Sequence, residues 1–145
     1  MEKGDQSARS RDQVAFIACS KRKRRAPGKA REVYQGSLFK KALAYCEARF
    51  DKTFILSAKY GLIEPDDFIS PYEQTLNRMS QADRKAWAIK VKEQLLEKRI
   101  VGFFWFFTGE RYSEFFMGEK PLRGLSLGRQ LQWFNLQSQE KGFGL

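Results

Sequence analysis

Three apolar segments of the sequence each end in side chains that could bind a phosphate or move a proton. Hydroxyl, ammonium and backbone N–H groups just after a strand are suited to a phosphate, and a carboxylate beside them could act as a general base. These side chains are Ser20, Lys21 and Lys23 after residues 14–19; Ser57, Lys59 and Tyr60 after residues 54–56; and Thr108, Glu110 and Arg111 after residues 100–107. The pattern favours one site for a phosphorylated ligand.

An acidic loop follows the second segment and contains the first candidates for catalytic groups. Two prolines six residues apart flank Asp66 and Asp67. Because proline fixes its own φ and restricts the residue before it, the loop should hold its side chains in fixed positions. Asp66 or Asp67 could activate water or stabilise an oxocarbenium-like centre, with Lys59 and Ser57 as the other catalytic candidates. The alternative is a rigid connector whose carboxylates are turn residues.

Aromatic side chains near the same segments could hold a base or a sugar. Tyr60 directly follows Lys59, so the tyrosine could stack on a base while the lysine contacts a phosphate. Tyr34 and Tyr72 are further candidates for stacking, and Tyr72 could instead belong to the core. With the lysines after residues 14–19, these tyrosines predict a nucleotide-binding surface.

Composition restricts the chemistry that the chain can perform. The 145 residues include no histidine and two cysteines, so Ser-His-Asp and Cys-His catalysis are excluded in their usual forms and a zinc site is not expected. Cys19 and Cys46 are too few for a disulfide framework and are expected as small buried residues. A catalytic thiol at Cys19 is the alternative. The chemistry must then come from carboxylates, lysines, tyrosines, hydroxyls or backbone groups, or from a magnesium ion held by Asp and Glu. We expect a site without a metal or another cofactor.

The charge of the chain indicates the kind of partner. A formal net charge of +10 and a pI of about 9.8 favour a polyanionic partner, which we expect to be nucleic acid or a phosphorylated small molecule. The N-terminal residues do not resemble a secretory signal, and no apolar run has membrane-spanning length. We expect a cytoplasmic monomer without a membrane partner.

The elements that must position these residues alternate between strand and helix. The three apolar segments are typical of strands buried on both faces. Residues at helical spacing follow them, and the expected helices cover residues 37–50, begin at Ser80 with Asp83 as the capping partner, cover residues 112–117, and begin near Leu127. Such alternation predicts a mainly parallel sheet whose strands end at one common edge.

The fold class we expect is α/β, with a single three-layer domain around a mainly parallel central sheet. The domain should cover residues 13–136, since 145 residues suffice for one core but not for two. Residues 1–12 are predicted to be a flexible N-terminus and residues 137–145 a flexible tail.

Short motifs within residues 14–133 resemble those of the YaaA family of peroxide-stress proteins and, more closely, its short bacterial and phage relatives. The motifs are Cys19-Ser20-Lys21-x-Lys23, Tyr34-x-Gly36-Ser37-x-Phe39, Ser57-Ala58-Lys59-Tyr60-Gly61-Leu62-Ile63-Glu64-Pro65 and Pro71-Tyr72. The resemblance implies a Rossmannoid fold similar to that of uracil-DNA-glycosylase-like proteins, a basic cleft and affinity for DNA. The chain is much shorter than YaaA and shows no Gly-punctuated helix-hairpin-helix element.

Three functions fit these features. The first is a DNA-binding protein with a base- or nucleotide-processing site, such as an N-glycosidase that extrudes the target base into a pocket. The second is a non-catalytic DNA-binding protein of the oxidative stress response, whose affinity would fall steeply with salt. The third is a small enzyme that acts on free nucleotides.

Overall fold

The computed structural model describes residues 11–143, with side-chain surroundings through residue 138. Its strands are β1 (Gln13–Ala18), β2 (Gly28–Lys29), β3 (Lys52–Ser57), β4 (Gly61–Ile63), β5 (Phe68–Ile69) and β6 (Phe103–Phe107). The central sheet has the order β4-β3-β1-β6. β1 pairs in parallel with both β3 and β6, and β4 runs antiparallel beside β3. The expected α/β class with a mainly parallel sheet is confirmed.

Helices cover both faces of this sheet. They are α1 (Ala30–Val33), α2 (Ser37–Arg49), α3 (Gln81–Glu97), α4 (Glu110–Ser113) and α5 (Leu127–Phe143), with a 3-10 helix at Leu76–Arg78. The first turn of α3 is capped as expected, because Ser80 Oγ accepts the backbone N–H of Asp83 at 3.1 Å. α3 packs on one face of the sheet, and α2 and α5 pack on the other.

Alternation along β1 shows why the domain has three layers. Val14 and Phe16 belong to the core on the side of α3, whereas Ala15 and Ile17 belong to the core on the side of α2 and α5. All four side chains are fully buried. Successive side chains of a strand point to opposite faces, so a strand that is apolar at every position must be covered on both. Burying a side chain such as Phe16 or Ile17 contributes about 1.5–3 kcal/mol.

Residues 61–63, which the sequence placed in the proline-flanked loop, form strand β4 instead. Gly61 begins the strand with a φ of +77°, a conformation that favours glycine. Gln94 of α3 covers the outer edge of the strand: its Oε1 accepts the N–H of Leu62 at 2.8 Å and its Nε2 donates to Tyr60 O at 3.1 Å. The expected loop is therefore partly a strand whose edge is closed by a side chain.

Other element boundaries also differ from the expected ones. The third parallel strand begins at Phe103 rather than Ile100, and the short helix expected at residues 112–117 is α4. Leu127, expected on the buried stripe of the last helix, is 72% exposed, whereas Phe134 of that stripe is buried. Residues 28–33, between the first parallel strand and α2, form β2, which pairs with β5, and α1.

The ends of the domain are described only in part. α5 continues to Phe143, past the expected end of the ordered domain at residue 136. Residues 1–10 and 144–145, which belong to the predicted flexible termini, lie outside the described residues. Within residues 11–143, no helix is both long enough and apolar enough to cross a membrane.

Candidate functional site

The carboxyl ends of β1, β3 and β6 lie at one edge of the sheet, as the sequence predicted. From β1 the chain crosses to β3 on one side and later to β6 on the other, so the strand order reverses between β1 and β6. Open α/β sheets bind their ligands in the crevice at such a point. A cavity of about 550 Å³ lies there, lined by residues that follow β1 and β6.

The cavity combines apolar walls with a basic mouth. Buried Phe39 of α2 and Phe107 of β6 belong to its lining, and exposed Lys21 and Arg111 lie at its opening. Its volume is within the range of small-molecule sites, about 300–1,000 Å³. Of the residues predicted as phosphate or nucleic-acid ligands, those that line the cavity are Ser20, Lys21, Lys23, Thr108 and Arg111.

Ser20 fixes the position of α2 at the cavity. Its side chain is buried, and its Oγ accepts the N–H of Gly36, the residue before α2, at 2.9 Å. A Cβ on Gly36 would lie 2.5 Å from this oxygen, so glycine is needed for the close approach. The buried Thr108 Oγ1 donates to Gly109 O at 2.8 Å. Both hydroxyls thus hold the cavity walls, and each keeps further capacity for a ligand.

Two long helices begin at the cavity. Gly36, which precedes α2, and Ser126, which precedes α5, both line it. Among the described residues no side chain caps the first turn of α2. A helix N-terminus carries partial positive charge, so these two ends add to the charges of Lys21 and Arg111. This arrangement suits a phosphate or carboxylate at the cavity mouth.

Lys23 is held against aromatic rings at the cavity wall. Its Nζ lies 4.4 Å from the centre of the Tyr72 ring and 5.9 Å from that of Tyr34, and it donates to Lys21 O at 3.3 Å. Burial lowers the pKa of the Lys23 ammonium, with Cys19 and Glu73 acting in the opposite direction. Lys23 therefore differs from Lys21, whose side chain is exposed.

Behind Lys23, a tyrosine–serine cluster made of Tyr34, Tyr72 and Ser57 joins the ends of three chain segments. The hydroxyl of Tyr72 is 2.6 Å from that of Tyr34 and 2.9 Å from Ser57 Oγ. Burial raises the pKa of both phenols, so they remain protonated at neutral pH. Within the cluster, Tyr34, Tyr72 and Ser57 act as hydrogen-bonding groups, and none of them lines the cavity.

Lys59 and Tyr60 lie beside the cluster and outside the cavity lining. Ser57 Oγ accepts the N–H groups of Lys59 and Tyr60 at 3.2 and 2.9 Å, which closes the turn from β3 to β4. The Tyr60 hydroxyl donates to Ser70 O at 3.0 Å, and Lys59 Nζ lies 5.3 Å from the Tyr60 ring. Tyr60 packs edge-on against Tyr72 and is half-buried.

Asp66 and Asp67 do not line the cavity. Asp66 is exposed and accepts from Arg31 Nε at 2.7 Å, and this hydrogen bond lowers the pKa of its carboxyl group. Asp67 Oδ2 accepts the N–H of Glu64 at 2.8 Å and so closes a turn. In the described part of the chain, both contacts are those of structural turn and surface residues.

Further polar residues line the cavity, among them Glu110, Tyr112 and Gln130. Among the described residues, Glu110 is the one carboxylate in the lining, and the sequence had ranked it behind the two aspartates. Tyr112 is buried with its hydroxyl 3.4 Å from Cys19 Sγ, and Gln130 is buried with its Nε2 donating to Leu125 O at 3.0 Å. Their only sequence signal is proximity to Thr108 and to the start of the last helix.

Comparison with known proteins identifies the family of the chain but does not indicate its activity. A model of a family of unknown function, DUF6884, matches residues 14–136. The chain belongs to this DUF6884 family. No curated protein matches the chain, and no solved structure matches it either. The resemblance of its motifs to the YaaA family, and the likeness to uracil-DNA-glycosylase-like folds that it implied, stay predictions for this DUF6884 protein.

Proposed function

We propose that this DUF6884 protein binds one nucleotide of a nucleic-acid strand, DNA before RNA, in the cavity between β1 and β6 and cleaves its base–sugar bond. The observation that carries the proposal is the cavity of about 550 Å³, which is lined by apolar side chains and by the exposed Lys21 and Arg111. An extruded base needs an apolar pocket, and its flanking phosphates need positive charge. A net charge of +10 agrees with a polyanionic partner.

The cavity suggests a role for each group in this reaction. Lys21 and Arg111 contact the phosphates on either side of the extruded nucleotide, aided by the helix N-termini at Gly36 and Ser126. Phe39 and Phe107 contact the base. Glu110 takes the place proposed earlier for the aspartates and activates water or stabilises the oxocarbenium-like sugar.

A free nucleotide is the second candidate ligand. Tyr60, which was expected to stack on the base, and Lys59, which was expected to contact a phosphate, do not line the cavity. A cavity of this volume also encloses a whole mononucleotide without any contact to neighbouring units. The proposed likeness to glycosylase-like folds is compatible with both ligands, because both place the base at the carboxyl ends of the strands.

Mass spectrometry of bases released from defined oligonucleotides and free nucleotides tests the proposal. Glu110→Gln should reduce base release at least 100-fold while fluorescence anisotropy shows unchanged binding, because only the charge of one carboxylate is lost. Glu93→Gln on the exposed side of α3 makes the same charge change and should release bases at the normal rate. Loss of release in an Asp66→Asn/Asp67→Asn variant, with Glu110→Gln active, would return the catalytic role to the acidic loop.

If the oligonucleotides bind and no base is released, the protein is a non-catalytic binder and the catalytic part of the proposal is wrong. Release only from free nucleotides supports the second ligand. If neither oligonucleotides nor free nucleotides bind, the cavity has a different ligand and the whole proposal fails.

A further inference from the structure

Lys23 has an environment that its phosphate-binding neighbours lack. Its Nζ lies over the ring of Tyr72, its side chain is half-buried, and it lines the cavity. Among the described residues it forms no ion pair with a carboxylate, in contrast to Arg31 and Arg84. Burial does not help a lysine that only neutralises a phosphate, because desolvation disfavours the protonated, charged form of the amine.

We infer that Lys23 is an amine nucleophile that attacks C1′ of an abasic deoxyribose and cuts the strand there by β-elimination. The inference rests on the proposed function, because it needs a nucleic-acid strand in the cavity between β1 and β6. It adds a second activity: the sugar whose base has been lost is the substrate of the lysine.

The reaction balances without an oxidant, a reductant or another co-reactant. The Lys23 nitrogen bonds to C1′ of the ring-opened aldehyde, and the aldehyde oxygen leaves as water to give an imine. The imine makes the C2′ proton acidic, and Glu110 is the carboxylate in the cavity lining that could remove it. The C3′–O bond then breaks, and its electron pair leaves with the 3′ phosphate. Water hydrolyses the imine, which releases an unsaturated aldehyde and restores the amine.

Burial favours the step that starts this sequence. An amine attacks a carbonyl only in its neutral form, and enzymes obtain that form by desolvating the lysine or placing it beside another cation. Burial already lowers the pKa of the Lys23 ammonium. Lys21 and Lys59 are exposed, and Lys59 also lies outside the cavity lining, so neither combines desolvation with access to the sugar.

Borohydride trapping tests the inference on the full chain. The reagent reduces an imine to a stable secondary amine, so an oligonucleotide with one abasic deoxyribose should become covalently attached to the protein. Mass spectrometry of the digested adduct should place the attachment at Lys23. Lys23→Arg keeps the positive charge and should lower trapping at least 100-fold, whereas Lys85→Arg on the exposed side of α3 should be trapped like the unchanged chain.

A duplex with a tetrahydrofuran abasic analogue separates this inference from the proposed function. The analogue has no aldehyde at C1′, so it should bind and never be trapped. Binding of the analogue without trapping of the natural abasic strand overturns the lyase and leaves the binding proposal intact. Trapping at Lys21, at the N-terminal amine or at any other residue also overturns the role of Lys23. If neither strand binds, both the inference and the proposed function fail.

Discussion

The hydroxyl oxygens of Tyr34 and Tyr72 lie 2.6 Å apart, although the two residues are 38 positions apart in the chain. Tyr72 also reaches Ser57 Oγ, so one hydroxyl group connects the end of α1, the end of β3 and the loop before α3. Since burial raises the pKa of both phenols, the contact is a neutral hydrogen bond at physiological pH. The tyrosine–serine cluster therefore holds together the segments behind Lys23.

Tyr72→Phe should lower the free energy of unfolding by about 1–3 kcal/mol, because it leaves buried hydroxyl groups of Tyr34 and Ser57 with one partner fewer. Urea denaturation measures the change. A double-mutant cycle with Ser57→Ala should show a coupling of at least about 0.5 kcal/mol. Ser70→Ala removes an exposed hydroxyl and serves as the control. Strict additivity of the two variants would show that the 2.9 Å contact contributes nothing.

Gly36→Ala should destabilise the protein by about 1–2 kcal/mol more than Gly109→Ala. Both glycines precede a helix in an extended conformation, with φ values of −64° and −68°, so the backbone cost is matched. A Cβ at Gly36 would displace Ser20 Oγ and break its hydrogen bond, whereas nothing lies within 4 Å of a Cβ at Gly109. Thermal unfolding compares them, and equal melting temperatures would contradict the prediction.

Glu114→Ala should cost about 2–3 kcal/mol of stability, since it removes the charged partner of Arg84. Arg84 is buried, and its Nε lies 2.5 Å from Glu114 Oε2. The matched comparison is Glu64→Ala, because Glu64 Oε2 lies 3.8 Å from Lys98 Nζ and both side chains are exposed. That change should stay within about 0.5 kcal/mol in the same urea titration. A similar loss in both variants would mean that burial of Arg84 is not decisive.

The Arg31–Asp66 ion pair should add to stability only while Asp66 is ionised. The hydrogen bond from Arg31 lowers the pKa of Asp66 from 3.8 in the folded state. A carboxyl group with a depressed folded pKa stabilises the protein above its unfolded pKa and loses this effect as pH falls. Asp66→Asn should therefore reduce the loss of stability that the unchanged chain shows below about pH 4. If the free energy of unfolding of Asp66→Asn falls with pH as steeply as that of the unchanged chain, the ion pair does not contribute to the acid sensitivity.

Lys21→Ala and Arg111→Ala should each weaken binding to oligonucleotides, and the slope of log Kd against log salt should fall by about 1 in each variant. Both side chains are exposed at the cavity mouth. Lys85→Ala, on the face of α3 away from the sheet, is the control for net charge. Anisotropy titrations at several salt concentrations give the slopes. Equal slopes for all three variants would show that the phosphates do not bind at the cavity mouth.

The sheet and its polar edge could be predicted because they follow from local pattern. Strands that are apolar at every position must be buried on both faces, and three of them end in polar residues. Which gap between strands opens into a cavity depends on the strand order, and the order is set by packing of the crossover helices. Of the predicted residues at the end of β3, Ser57 therefore belongs to the tyrosine–serine cluster and Lys59 and Tyr60 lie beside it, while the predicted residues after β1 and β6 line the cavity.

The acidic loop shows where local pattern was insufficient. Two prolines around two aspartates did indicate fixed geometry, but the partner of Asp66 is Arg31, which lies 35 positions earlier. No local feature of residues 65–71 reveals that contact. The sequence signal for Glu110 is weaker than that for the aspartates, because Glu110 follows Thr108 and Gly109 and is not flanked by prolines. Its place in the cavity lining depends on residues distant in the sequence, because Leu125, Ser126 and the first turn of α5 line the same cavity.

The cavity is assembled from five stretches of chain, residues 18–23, 36–42, 74–77, 107–112 and 125–130. The last of these is supplied by the first turn of α5. During synthesis, all strands of the sheet emerge from the ribosome before this turn does. Until the turn has left the exit tunnel, the nascent chain lacks part of the cavity wall. Ligand capture can then begin only after residues 125–130 have left the exit tunnel.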